Sequence, residues 1–318
     1  MLYPTHSFSD SHTWASSDNS ITPMTNPTVT AQPLVRGYGK SFASFGEIVQ
    51  GRLSNGEDFL VTLPVNLWST CTLECETLAG DSLIQSEFAK SKAVAEQLLT
   101  ALGLETGWHI RLQLQSEIPI GKGLSSSTAD MLAVVRAFQD TFGVMISESF
   151  ISRLFTQIEP HDGLHYASSV AYNHRQGKLL QAFHYIPDFQ IVAVDVGGEL
   201  STLEYNKKLC FSPHWLQAYD ALYQQLATAF AQRDDAAIAR CATQSARLHV
   251  ERTGNAFLAA VLQRAAQLEV MGVLATHSGT CAGFMLAGQA QAAQLEVIRQ
   301  AVSDLGHVFN TRTLKILS

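Results

Sequence analysis

No run of apolar residues in this 318-residue sequence reaches the roughly 18 needed to cross a bilayer as a helix. The N-terminus also lacks the basic and apolar segments of a secretory leader, so a cytoplasmic protein with no membrane partner is expected. Basic runs are missing too. Lys and Arg total 21 against 28 Asp and Glu, a formal charge of −7, and no basic-aromatic stripe offsets it. That balance argues against nucleic acid as a partner, while leaving room for a nucleotide held in one local positive pocket. Cysteine is scarce: Cys71, Cys75, Cys210, Cys241 and Cys281 are odd in number and show no metal-type CxxC spacing. In a strand Cys71 and Cys75 would share a face roughly 13 Å apart, too far to bridge, so reduced and mostly buried thiols are expected. Charged residues are only 15% against 46% hydrophobic, which excludes a disordered chain and implies a full core. The length suits two domains, and there is no internal repeat.

What the sequence does have is concentrated in Ile118–Asp130, Ile-Pro-Ile-Gly-Lys-Gly-Leu-Ser-Ser-Ser-Thr-Ala-Asp. Gly121 and Gly123 precede four hydroxyl residues, Ser125 to Thr128, and an apolar run of helical period follows. Glycines let a ligand approach the backbone closely, and a helix start offers unpaired N–H groups with the positive end of the dipole behind them. Together they make a phosphate cradle. It is not a Walker A loop, because the Gly-Lys-Ser/Thr at the required gap is absent. Upstream, Trp108 to Ser116 alternates as a half-buried strand. Downstream, Met131, Leu132, Val134, Val135, Phe138 and Phe142 form one buried helical stripe. Ser127 and Asp130 have the spacing of a capping box, and Asp130 is expected to face away from a phosphate.

Elsewhere, residues 1–35 are rich in Ser, Thr, Pro and Asn and read as a disordered or loosely attached tail, with Phe8 and Trp14 able to dock it. Gly46 to Gly51 leads through Ser54-Asn-Gly56 into a strand at Phe59 to Leu63, a hairpin signal. Helices are expected at Ser91–Leu102, Ile146–Ile158 (closed by Pro160), Trp215–Gln232, Ala236–His249, Ala256–Met271 and Ala292–Leu305. Strands are expected at Ile191–Val196 and Ala282–Ala287, with a domain boundary near Pro187. A mixed α+β protein in two domains follows, 36–187 and 188–318 after the tail.

Three segments resemble the motifs of the GHMP kinases: Gly46-Glu47, the loop Pro119–Ser127, and His277-Ser-Gly-Thr-Cys-Ala-Gly283. Within that superfamily the chain is similar to the L-threonine kinases of the propanediol-utilisation and cobalamin-pathway type. They share Ala43-Ser-Phe-Gly-Glu-Ile-Val-Gln-Gly51, the loop from Pro119 to Asp130, and Ile158-Glu-Pro-His-Asp162. The likeness runs from about residue 37 to 310. It implies an α+β GHMP kinase fold, with an N-terminal domain like ribosomal protein S5 domain 2 and a C-terminal ferredoxin-like domain. It also implies ATP between them, Mg²⁺, and direct transfer of the γ-phosphoryl group to a hydroxyl.

On that resemblance, Gly121, Lys122, Gly123, Leu124, Ser125, Ser126, Ser127 and Thr128 would surround the nucleotide, with Ser278 and Gly279 beside them. Asp162 would accept the acceptor proton, and Lys122 would be a point charge at the phosphates. Glu159 would share the metal with Ser126 or Ser127. Glu47 could serve adenosine, a substrate ammonium or only backbone. Glu159 and Asp162 could instead cap the next element, Lys122 could be an exposed lysine, and His161 and His165 read as ordinary core or surface histidines. The sequence departs from the subfamily at Gly163-Leu164, where small hydroxyl residues are usual, and at Phe42 in place of proline. The implied acceptor is L-threonine, with homoserine or another small alcohol as the alternative, and a non-catalytic nucleotide- or metabolite-binding protein as a third reading. The sequence leaves a homodimer open.

Overall fold

The computed structural model describes residues 20–23, 34–198, 212–277 and 279–314. In chain order the first half comprises β1 (Ile21–Pro23), β2 (Val35–Arg52), β3 (Asp58–Asp81), β4 (Leu83–Gln85), α1 (Ala89–Leu102), β5 (Thr106–Ser116), α2 (Ser126–Phe142), β6 (Val144–Ile146), α3 (Glu148–Thr156), β7 (Val170–Asn173) and β8 (Lys178–Ala182). The second half adds β9 (Phe189–Asp195), α4 (Pro213–Ala231), α5 (Asp235–Thr253), α6 (Ala256–Ala265), β10 (Gly272–Ala275), β11 (Cys281–Ala287), α7 (Ala292–Val302) and β12 (His307–Arg312).

The hairpin expected around Ser54-Asn-Gly56 is the backbone of the architecture. β2 and β3 pair antiparallel from Val35 with Cys75 through to Arg52 with Asp58, and Gly56 at φ +86° closes the turn. Both strands run far beyond the short apolar segments that signal them, because β3 is paired along its far half by β5. The main sheet has the order β12-β9-β11-β10-β2-β3-β5-β4, with β7 paired to β3 and β8 paired to β7. Strands before residue 187 meet those after it where Ala275 pairs with Glu47, so the first and third sequence motifs are neighbours.

α2 lies directly on this sheet. A Cβ on Gly39 would overlap the Ala133 carbonyl, and one on Gly37 would overlap Thr141, so these β2 glycines allow the helix its close approach. Met131, Leu132, Val134, Val135 and Phe138 of the expected stripe are fully buried beneath it, and Phe142 at its end is partly buried. Burial of each such side chain is worth about 1.5–3 kcal/mol, which holds the N-terminus of α2 at a fixed height above β2.

Several expectations are corrected. The capping box does not form: the N-cap is Ser125 in the left-handed region, at φ 60°, and it makes no side-chain cap. Asp130 instead accepts from Ser69 Oγ at 2.5 Å, which does turn it away from the loop. The helix expected at Ile146–Ile158 is shorter, because Val144–Ile146 pairs with Ile21–Pro23 as strand β6. Those three residues of the expected loose tail are therefore a paired strand, while Phe8 and Trp14 lie outside the described residues. The helix expected to reach Met271 ends at Ala265. Cys71, Cys75, Cys241 and Cys281 are free and buried, and burial pushes the thiols of Cys71, Cys75 and Cys281 up to about 12, which keeps them protonated. Cys210 lies outside the described residues.

Candidate active site

Three chain segments far apart in sequence converge at the N-terminus of α2. The irregular stretch of β2 around Ser44–Val49 puts Gly46 at φ +52°, and its N–H donates to the Gly123 carbonyl at 3.2 Å. The loop Gly121–Ser125 follows, with Gly121 at φ +71° and Gly123 at φ +75°. Residues after β10 pack on its other side. A Cβ on Gly123 would sit 2.6 Å from the Thr276 Cβ, and one on Gly279 would overlap the Lys122 carbonyl. The glycines of the loop thus serve the contact between motifs as well as any ligand.

Two hydroxyl–carboxylate pairs flank the start of α2. Ser125 Oγ donates to Asp162 Oδ2 at 2.5 Å and also meets Ser44 Oγ. Ser127 Oγ donates to Glu159 Oε1 at 2.6 Å, while Glu159 Oε2 pairs with Lys90 at 2.5 Å. Burial, aided by the charges of Glu47 and Glu159, pushes the Asp162 carboxyl up to about 7, and the Ser125 hydrogen bond holds it back. The Asp162 backbone is anchored on both sides. His161 Nε2 contacts the Ser152 carbonyl at 3.2 Å and Tyr172 Oη at 3.1 Å, and Gly163, at φ +66°, leaves no room for a Cβ against the Tyr172 ring. His161 and His165 are buried, and burial keeps His161 neutral down to about 4. They are core histidines, as one reading of the sequence had it.

Glu47 is buried beside these pairs. Its Oε2 accepts from the His277 backbone N–H at 3.1 Å and from His277 Nδ1 at 2.9 Å. Burial pushes Glu47 up to about 7 and His277 down to about 3, the latter helped by the charge of Arg252. The imidazole is therefore neutral, with Nδ1–H donating to Glu47 and Nε2 accepting from Ser245 Oγ at 3.2 Å.

Lys122 Nζ bonds Asp195 Oδ2 at 2.8 Å and the Gly198 carbonyl at 2.5 Å. Burial would raise Asp195, but Lys122, Thr280 Oγ1 at 2.6 Å and the Gly197 N–H outweigh it and hold the carboxyl below its usual value. Leu124 and Thr128 are buried, so only their backbone can border a ligand. Ser126 is half-buried at the first position of α2, Gly279 lies against the loop, and Ser278 falls outside the described residues. Sequence reasoning passed over Ser44 and His277, although both lie within the quoted motifs. It also missed Lys90, which carries no local signal, and Asp195, an acid closing an apolar strand.

Residues 89–170 match the family model described as "GHMP kinases N terminal domain", a span that holds the glycine-serine loop, Glu159 and Asp162. The chain is 28% identical over 251 residues to an L-threonine kinase of Salmonella typhimurium, covering 77% of this chain and 81% of that one. Its fold is similar to that of a homoserine kinase from Cytophaga hutchinsonii (TM-score 0.68, 12% identity, 90% of this chain and 96% of that one). It is also similar to L. major mevalonate kinase solved with R-mevalonate (TM-score 0.66, 14% identity, 91% and 99%).

Proposed function

We propose, for a chain that belongs to the GHMP kinase superfamily, an ATP-dependent kinase of small hydroxy amino acids with L-threonine as its acceptor. The observation that carries this reading is the pair of hydroxyl–carboxylate contacts, Ser125–Asp162 and Ser127–Glu159, at an uncapped helix N-terminus. Because Ser125 spends its hydroxyl on Asp162, the first N–H groups of α2 are left for an anion. ATP phosphates suit that position.

Asp162 takes the proton of the acceptor hydroxyl as that oxygen bonds the γ-phosphorus and the bond to the departing ADP oxygen breaks. A carboxyl raised to about 7 matches this task near neutral pH. Glu159 with Ser127, or Ser126 beside it, offers the hard oxygen donors that suit Mg²⁺. The ion, when bound, supplies charge neutralisation at the transferring phosphoryl group. Lys122, held at Asp195, shapes the loop and adds positive charge behind it. ATP and acceptor lie between residues 36–187 and 188–318. Buried, protonated thiols suit a cytoplasmic enzyme.

ADP release from Mg·ATP, measured with L-threonine, L-serine, L-homoserine and mevalonate, tests the reading. L-Threonine should drive turnover well above the blank. Preference for homoserine would move the acceptor, and no acceptor-dependent ADP from any of the four would overturn the kinase reading.

A further inference from the structure

Phosphoryl transfer as described above has no use for Glu47, yet the fold buries it and fixes it with unusual care. Both hydrogen bonds from His277 converge on Oε2, while Oε1 accepts none among the described residues. His277 is in turn fixed by Ser245 and lies edge-on to His249, at 4.9 Å between ring centres. None of these partners supplies a positive charge to Glu47, since the His277 imidazole is neutral.

Among the described residues, no lysine or arginine lies within ion-pair distance of Glu47 or Asp162. The nearby cations are committed elsewhere: Lys122 to Asp195, Lys90 to Glu159, and Arg252 next to His249 Nδ1 at 3.4 Å. Glu47 and Asp162 are thus two buried carboxyls close enough for the charge of one to raise the other, with no cationic side chain paired to either. That is a costly arrangement when both are ionised, unless a ligand brings a positive charge.

We infer that Glu47 receives the α-ammonium of the acceptor, with His277 as the residue that positions it. The inference rests on the hydroxy-amino-acid reading of the site. Covalent geometry supports the pairing. In a vicinal amino alcohol such as L-threonine, the hydroxyl oxygen and the ammonium nitrogen are about 3–4 Å apart. A hydroxyl placed at Asp162 therefore puts the ammonium next to the carboxylate that neighbours Asp162. Ser44, three residues before Glu47, reaches Asp162 through the shared Ser125 hydroxyl, so β2 contributes to the surroundings of both carboxyls. Glu47 is then a selector of amino alcohols over plain hydroxy acids, and its negative charge is matched only when the right acceptor binds.

The test compares L-threonine with (R)-β-hydroxybutyrate, the same molecule with hydrogen in place of the ammonium. Binding to the full chain with Mg·ADP is measured by calorimetry, and turnover by ADP release. Wild type should favour L-threonine by about 100-fold or more in both. Glu47→Gln should erase most of that preference by weakening L-threonine, while β-hydroxybutyrate changes little. His277→Gln should raise KM for L-threonine with kcat less affected, a split that general destabilisation would not produce. Equal binding of the two ligands by wild type overturns the inference, as does L-threonine failing to bind at all, and neither result depends on a variant folding. Discrimination in binding with no turnover would leave the ammonium site standing and remove the kinase reading instead.

Discussion

At the scale of single residues, Asp162 makes the sharpest demands. Asp162→Asn should lower kcat by about 10²–10⁴ while the affinity for ATP stays nearly unchanged, measured by ADP release and calorimetry. Because its carboxyl is raised to about 7, wild-type activity should fall as pH drops through about 7 and the base becomes protonated. Stability runs the other way. A carboxyl whose folded pKa is raised contributes fully below its ordinary 3.8, and that contribution is lost as pH rises through about 7. The asparagine variant should therefore melt higher than wild type at about pH 8, with the gain shrinking toward about pH 5. No gain at the higher pH would mean that Asp162 is not strained by burial. Ser125→Gly is the companion test. The left-handed backbone suits glycine, but the hydrogen bond that holds Asp162 down is gone, so the acid limb of the pH–rate profile should move upward.

At the scale of elements, the site depends on how closely the loop before α2 meets the residues after β10. Gly123→Ala and Gly56→Ala both place a side chain at positive φ, but only the first meets a neighbour, Thr276, at 2.6 Å. Gly123→Ala should cost about 1–3 kcal/mol more than Gly56→Ala in denaturant unfolding, with ATP binding lost alongside. Equal costs would show that the loop is free to move away from Thr276. Lys122 and Asp195 tie the same loop to the end of β9. A double-mutant cycle with Lys122→Met and Asp195→Asn should give a coupling of about 1–3 kcal/mol, and a coupling near zero would leave Lys122 as the point charge that the sequence motif suggested.

At the scale of the whole molecule, the N-terminal segment gains a partial role. Ile21–Pro23 pairs with Val144–Ile146, beside the C-terminal end of α2. Removing residues 1–19 should leave melting temperature and kinetics at full-length values. Removing 1–33 takes the strand as well, and should lower the melting temperature by about 2–4 °C for each kcal/mol lost, with kcat preserved because the site is remote. Identical melting curves for the two truncations would mean that the pairing contributes nothing.

What could be read from the sequence was local. The alternation of Trp108 to Ser116, the stripe of α2, the turn at Gly56 and the glycine-serine loop each report on contacts within a few residues, where period and steric freedom dictate the outcome. The short strands β7, β8, β10 and β12 left no such trace, since their pairing partners lie elsewhere in the chain. The same limit applied within the site. A carboxylate's partner is whichever donor the fold brings near, and charge attraction has no sequence period. Hence Asp130 left its expected cap for Ser69, 61 residues away, and Lys122 turned to Asp195. Glu47 found His277 at a separation of 230 residues, a pairing that exists only because β10 closes against β2.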